Sequence, residues 1–184
     1  MEFLINLWLP ILICGIVLFF TSSLFWTVLP HHEDDHKKAP DEEALMGAIR
    51  TLDLPAGPYM FPFLRHAEMK DEAKQELYKQ GPRGLLIIWD IPNMGRNLGL
   101  TLTYFLLISL IIGYIAWEAL GVDATFLKVF QIVGAMGLLV YCSSGHLRAI
   151  WFRHPKLMDT IDGIAYGVMS GLIFASLWPS PPAV

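Results

Sequence analysis

Residues 3–29 read FLINLWLPILICGIVLFFTSSLFWTVL and carry no ionisable side chain other than Cys14. A bilayer core is crossed by a helix of roughly 20 apolar residues, so this stretch alone is long enough to span. It does not fit a cleaved secretory signal, which pairs a positive start with an apolar run of about 7–15 residues and a small-residue cleavage site. Here Met1-Glu2 comes before the run, and Pro30-His31-His32 follows it. A retained membrane helix is expected.

Three further windows share the character of the first. Leu98–Leu120 holds only Glu118 near its end, Phe126–Ser144 holds Lys128 at its start, and Met158–Trp178 confines Asp159 and Asp162 to its first turns. A charge at the centre of a spanning helix costs about 2.5–3.5 kcal/mol on insertion scales, and each of these lies near an end instead. The whole chain is 54% hydrophobic and only 16% charged, whereas a soluble domain carries about 25% charged residues. The fold class expected is an all-α integral membrane protein with four transmembrane helices and a mostly helical or irregular polar domain between helices 1 and 2. The divisions are helix 1 over residues 1–29, an extramembrane domain over 30–97, helices 2–4 over 98–178, and a tail over 179–184.

Basic residues orient this layout. Nine of the 13 Lys and Arg fall in residues 30–97, and Arg148, Arg153 and Lys156 lie between helices 3 and 4. Cytoplasmic loops are the ones enriched in Lys and Arg, which puts residues 30–97 in the cytoplasm and both termini outside. Trp8, Trp26, Trp117 and Trp178 fall near helix ends, at the depth an indole favours. The loop holds 12 acids against its nine bases; that balance argues against nucleic acid as a partner.

Within the loop, Pro40-Asp41-Glu42-Glu43 ahead of ALMGAIRTL reads as a helix start, with acids at the positive end of the dipole. PAGPYMFPF, residues 55–63, is too rich in Pro and Gly for a helix and reads as an extended segment. Glu68 to Gln80 is a second polar helix, stopped by Gly81-Pro82. Leu85–Trp89 is too short to span and reads as a strand or an interfacial segment.

Two sets of residues stand out as contact surfaces. Gly163, Gly167 and Gly171 recur every four residues, so they share one helical face, and small residues at that spacing let two backbones approach closely. The partner could be another helix of the bundle or another subunit. Tyr59, Met60, Phe61 and Phe63 form an apolar segment; exposed patches of this kind mark contacts, although this one could equally fold back onto the bilayer surface.

Candidate chemistry rests on the histidines. His31, His32 and His36, with Glu33, Asp34 and Asp35, form the run HHEDDH just after helix 1, and His66, His146 and His154 lie in loops expected on the same face. Imidazole and carboxylate together suit first-row metals, so His31, His32, His36 and His146 are the candidate ligands for a metal or haem. A solvated juxtamembrane segment is the simpler reading, with no cofactor at all. Asp159 and Asp162 are expected to pair with Arg148 or Arg153. Cys14 and Cys142 read as packed thiols. No GxSxG, P-loop, GxGxxG after a strand or CxxC is present, which leaves no catalytic mechanism to build.

The set Leu29-Pro30-His31-His32, Pro40-Asp41-Glu42-Glu43, Gly57-Pro58-Tyr59-Met60-Phe61-Pro62 and Asn93-Met94-Gly95-Arg96-Asn97-Leu98 resembles a family of small uncharacterised bacterial multispan membrane proteins. That resemblance covers nearly the whole chain. It implies a bacterial inner membrane and brings no assigned activity or site residue. The expected function is therefore a non-catalytic accessory or scaffold subunit of a larger membrane complex, with lipid and other membrane subunits as partners. A metal- or haem-binding membrane protein is the alternative, and a small transporter the third.

Overall fold

The computed structural model describes residues 2–179, so residues 180–184 of the expected tail lie outside the described residues. In chain order the helices are α1 (Glu2–Thr27), α2 (Glu42–Thr51), α3 (Glu72–Gln80), α4 (Met94–Ala119), α5 (Phe126–Ser143), α6 (His146–Phe152) and α7 (Leu157–Ser176). Two short strands, β1 (Gly57–Phe61) and β2 (Gly84–Ile88), and 3-10 turns at Pro30–Asp35 and His66–Lys70 complete the order. Among the described residues, four helices are long and apolar enough to cross a membrane: α1, α4, α5 together with α6, and α7. This is the pattern of a multi-pass membrane protein.

The chain separates into two compact units, one of residues 1–36 with 94–184 and one of Lys37–Asn93. In the first, Leu7, Ile11, Cys14 and Leu18 recur at helical spacing on the inner face of α1, as i, i+4, i+7 positions must. Its outer face is apolar too: Ile5, Trp8, Leu12 and Phe20 are exposed. A helix that is hydrophobic all round belongs inside a large core or a membrane. Helix α4 repeats the pattern, burying Phe105, Ser109, Ile112, Gly113 and Ala116 and exposing Leu100, Leu107 and Ile111.

Glycine sets the packing. The Gly163, Gly167 and Gly171 face of α7 lies against α5 of the same chain. A Cβ on Gly163 would stand 2.9 Å from the Tyr141 backbone, one on Gly167 2.8 Å from the Leu138 nitrogen, and one on Gly171 2.9 Å from the Phe130 oxygen. From the other side, a Cβ on Gly137 would lie 2.7 Å from the Gly167 Cα. These three glycines thus serve internal packing, and α5 occupies the face. Helix α1 packs on α4 and also on α7. At one end of the unit the Trp178 indole donates to the Gly121 carbonyl at 3.2 Å, closing the α4–α5 turn over the end of α7. Gly145, at φ +78°, separates α5 from α6; this residue takes the left-handed conformation at no steric cost. Residues 146–152, expected as loop between helices 3 and 4, form a short helix.

In the second unit α2 starts where the acids indicate, with the Asp41 carboxylate accepting from Ala44 N at 2.9 Å. The expected helix over residues 68–80 is broken at Asp71, whose side chain accepts from Ala73 N and Lys74 N and so starts a new helix there. The extended segment and the apolar run pair as antiparallel strands, Gly57 opposite Ile88 and Phe61 opposite Gly84. This small sheet was not part of the helical or irregular domain expected from sequence. The Phe61 ring covers Gly84, on which a Cβ would lie 2.5 Å away. An open cavity of about 330 Å³ lies among Met60, Pro62, Leu64, Met69 and Tyr78.

Candidate functional site

Pro30 decides where the first site begins. Proline disfavours the helical region for the residue before it, and Leu29 is extended at φ −85°, ψ 135°. Helix α1 has ended at Thr27, and Pro30 opens the 3-10 turn. Side chains three apart eclipse one another in a 3-10 turn. His32 and Asp35 meet this way, with Asp35 Oδ2 2.6 Å from His32 Nδ1.

The same turn carries both imidazoles to α7. His31 Nε2 lies 2.9 Å from Asp162 Oδ1, and His32 Nε2 lies 3.1 Å from Asp162 Oδ2. One carboxylate in the second turn of α7, only 3% exposed, therefore serves two rings from the end of α1. Aromatic residues fix those rings. Trp26 stacks on His32 at 3.9 Å between centroids and 10° between planes, and Phe25 meets His31 edge-on at 5.7 Å. Asp159, one turn before Asp162, pairs with Lys156 at 2.9 Å. The expected pairing of Asp159 and Asp162 with Arg148 or Arg153 is thus replaced by Lys156 and by the two histidines.

Of the four candidate ligands, His31 and His32 come together. His36 is exposed, and the chain there is already extended at φ −126°, ψ 130° as it leaves the turn. His146 heads α6, where its Nε2 lies 3.4 Å from Thr160 Oγ1 and its Nδ1 is buried without a partner. Among the described residues, two groups have metal-ligand spacing: His31 with His32 and Asp162, and His32 with Asp35 and Asp159. Which carboxylates join the histidines, Asp162 above all, is not evident from the sequence. An acidic residue inside an otherwise apolar span needs a partner, and that was the available signal for Asp162.

Burial lowers the pKa of His32, but its hydrogen bonds to Asp35 and Asp162, with their charges, outweigh it, so the net shift is upward. The groups around the ring are Asp35, Asp162, Asp159, His31 and Lys156. A raised histidine pKa means that the folded chain holds a proton the unfolded chain has released. The stabilisation is full below the unfolded value of about 6.5 and is lost as pH rises through the folded value. Chelator-treated protein is expected to melt at lower temperature as pH is raised from about 6, and His32→Gln should flatten that slope. Equal slopes in the two proteins would remove His32 as its source.

The aromatic segment lies in the other unit. Tyr59 is half-buried, its hydroxyl donating to the Pro55 carbonyl at 2.7 Å, while Met60, Phe61 and Phe63 are exposed. No residue of Lys37–Asn93 is buried. Trp89 and Ile91 are 72% and 97% exposed. Comparison with protein-family models, curated proteins and solved structures finds no match.

Proposed function

We propose that the protein is a non-catalytic accessory or scaffold subunit of a larger bacterial inner-membrane assembly, with its termini outside and residues 30–97 in the cytoplasm. One observation carries the reading: the unit Lys37–Asn93 buries none of its residues, yet exposes Met60, Phe61, Phe63, Trp89 and Ile91. Met60, Phe61 and Phe63 stand together on one short segment, and exposed apolar patches on a folded unit mark contact sites. Aromatic residues and methionine are also enriched in protein interfaces relative to the remaining surface. Lipid covers the outward faces of the spanning helices in this arrangement, and protein covers the unit between α1 and α4.

A photo-crosslinking residue in place of Phe63 or Trp89, in the full chain in native membranes, tests this. The expected result is a protein adduct of one defined mass at both positions. The same residue in place of Glu43, on the acid-rich start of α2, should give none. Adducts with lipid alone at Phe63 and Trp89 would overturn the reading and assign that surface to the bilayer.

A further inference from the structure

The cluster at the end of α1 has a function that an accessory role does not require. We propose that His31, His32 and Asp162 bind a divalent first-row transition ion of the zinc or iron(II) type, and that Asp35 orients His32 for it.

The donor set comes first. Nε2 of His31, Nε2 of His32 and a carboxylate oxygen of Asp162 are three ligands of nitrogen and oxygen type, and such sets suit zinc, iron and their neighbours rather than calcium or magnesium. Three protein ligands with further positions open is also the arrangement of reactive rather than purely structural sites.

Spacing comes next. Ligands held about 2.0–2.1 Å from a tetrahedral ion stand about 3.3 Å apart. The two nitrogens lie 2.9 and 3.1 Å from the two different oxygens of Asp162, and one donor atom from each residue lies within 4.8 Å of the others, so the three donors already converge and close on an ion by side-chain adjustment. Side chains of His32 and Asp162 are only 7% and 5% exposed, and Trp26 and Phe25 already hold the rings. The site is built before the ion arrives.

The arrangement of partners also favours an ion. Ligating histidines characteristically give their other ring N–H to a carboxylate, which fixes the tautomer and raises ligand basicity. Asp35 accepts from His32 Nδ1 in that position, so Nε2 is the nitrogen left for the ion. Two imidazole nitrogens facing one buried carboxylate need either a proton on each nitrogen or a cation among them. A single ion satisfies all three groups at once. The second group, His32 with Asp35 and Asp159, already has a cation, because the Lys156 ammonium sits on Asp159. One ion per chain is therefore expected. The rings lie side by side, with centroids 4.3 Å apart, which suits a shared ion and not the opposite faces of a haem.

The test uses the full chain purified in mild detergent, stripped with chelator and titrated with cobalt(II), zinc(II) and magnesium(II). Expected are one cobalt per chain with a visible ligand-field band, displacement by zinc, and no response to magnesium. His31→Ala and His32→Ala should each weaken cobalt binding beyond about 100-fold, and Asp35→Asn by about 10–100-fold, the range for an orienting carboxylate. His36→Ala and His146→Ala should bind as wild type. The deciding measurement is on the unmutated chain: a protein shown folded by its melting transition that takes up neither cobalt nor zinc overturns the proposal, whatever the variants do. Binding that survives His31→Ala with His32→Ala, or that is lost in His36→Ala, overturns the assignment of ligands.

Discussion

Gly167→Leu is expected to prevent recovery of a folded protein, and Gly167→Ala to lower its thermal stability markedly. The reason is the backbone contact of α7 with α5. A single Cβ at this position would lie 2.8 Å from the Leu138 nitrogen, with the Leu138 side chain at 3.0 Å. A side chain could rotate away, but a helix backbone moves only by separating the helices. Overpacking of a tight core costs about 1–3 kcal/mol and sometimes more, and one added methyl already meets this condition. Leucine extends that Cβ by an isopropyl group against the same α5 backbone, where a Cβ on Gly137 would lie only 2.7 Å from the Gly167 Cα. Lipid offers little hydrophobic drive to hold helices together, so close packing supplies most of the association, and its loss is not compensated elsewhere. Melting in detergent, read by circular dichroism, measures the effect. Gly99→Ala in α4 is the control, since a Cβ there meets nothing within 4 Å. A Gly167→Ala protein that melts with wild type would mean that α5 and α7 are not in contact through this face.

Asp162→Ala is expected to destabilise the chelator-treated protein by about 3 kcal/mol at pH 6, the lower end of what removing one partner of a buried ion pair costs. Asp162 faces both His31 Nε2 and His32 Nε2, so its loss leaves two ring nitrogens without their carboxylate. Asp162→Asn keeps the shape and one accepting oxygen but turns an NH2 group towards the second ring, so an intermediate loss is expected. Hydrogen exchange localises the change: amides of residues 30–36 should exchange faster in Asp162→Ala, while those of the α5–α7 contact keep their protection. If the turn stays protected in that variant, something other than Asp162 holds it.

Much of the helical architecture can be read from local pattern, because a span reveals itself by the absence of charge over some 20 residues. All four windows became helices, and their ends moved by a few residues. Helix α4 starts at Met94 rather than Leu98, as Met94 to Asn97 continue the helix before the apolar run begins. The candidate site was only half visible. His31 and His32 stand next to a run of acids and draw attention, but Asp162 lies about 130 residues away and reads locally as one more carboxylate near a helix end. Its role depends on α1 and α7 being neighbours, and periodicity does not encode which helices adjoin. His36 dropped out for a local reason: the 3-10 turn matches residue 32 with 35 and releases the chain at 36. Pairing of β1 with β2 was likewise beyond reach, since each strand was legible alone and nothing between them marks the register.

The contact between the His31–His32 turn and Asp162 joins α1 to α7, two helices about 130 residues apart in the chain. A ribosome delivers α1 before α7, so the imidazoles reach the membrane surface before their carboxylate is made. Asp162 and the glycine face that packs on α5 then arrive together in one helix. Synthesis of α7 thereby becomes the step that closes the bundle, and until it is made both histidines lack Asp162 and α5 lacks its glycine partner.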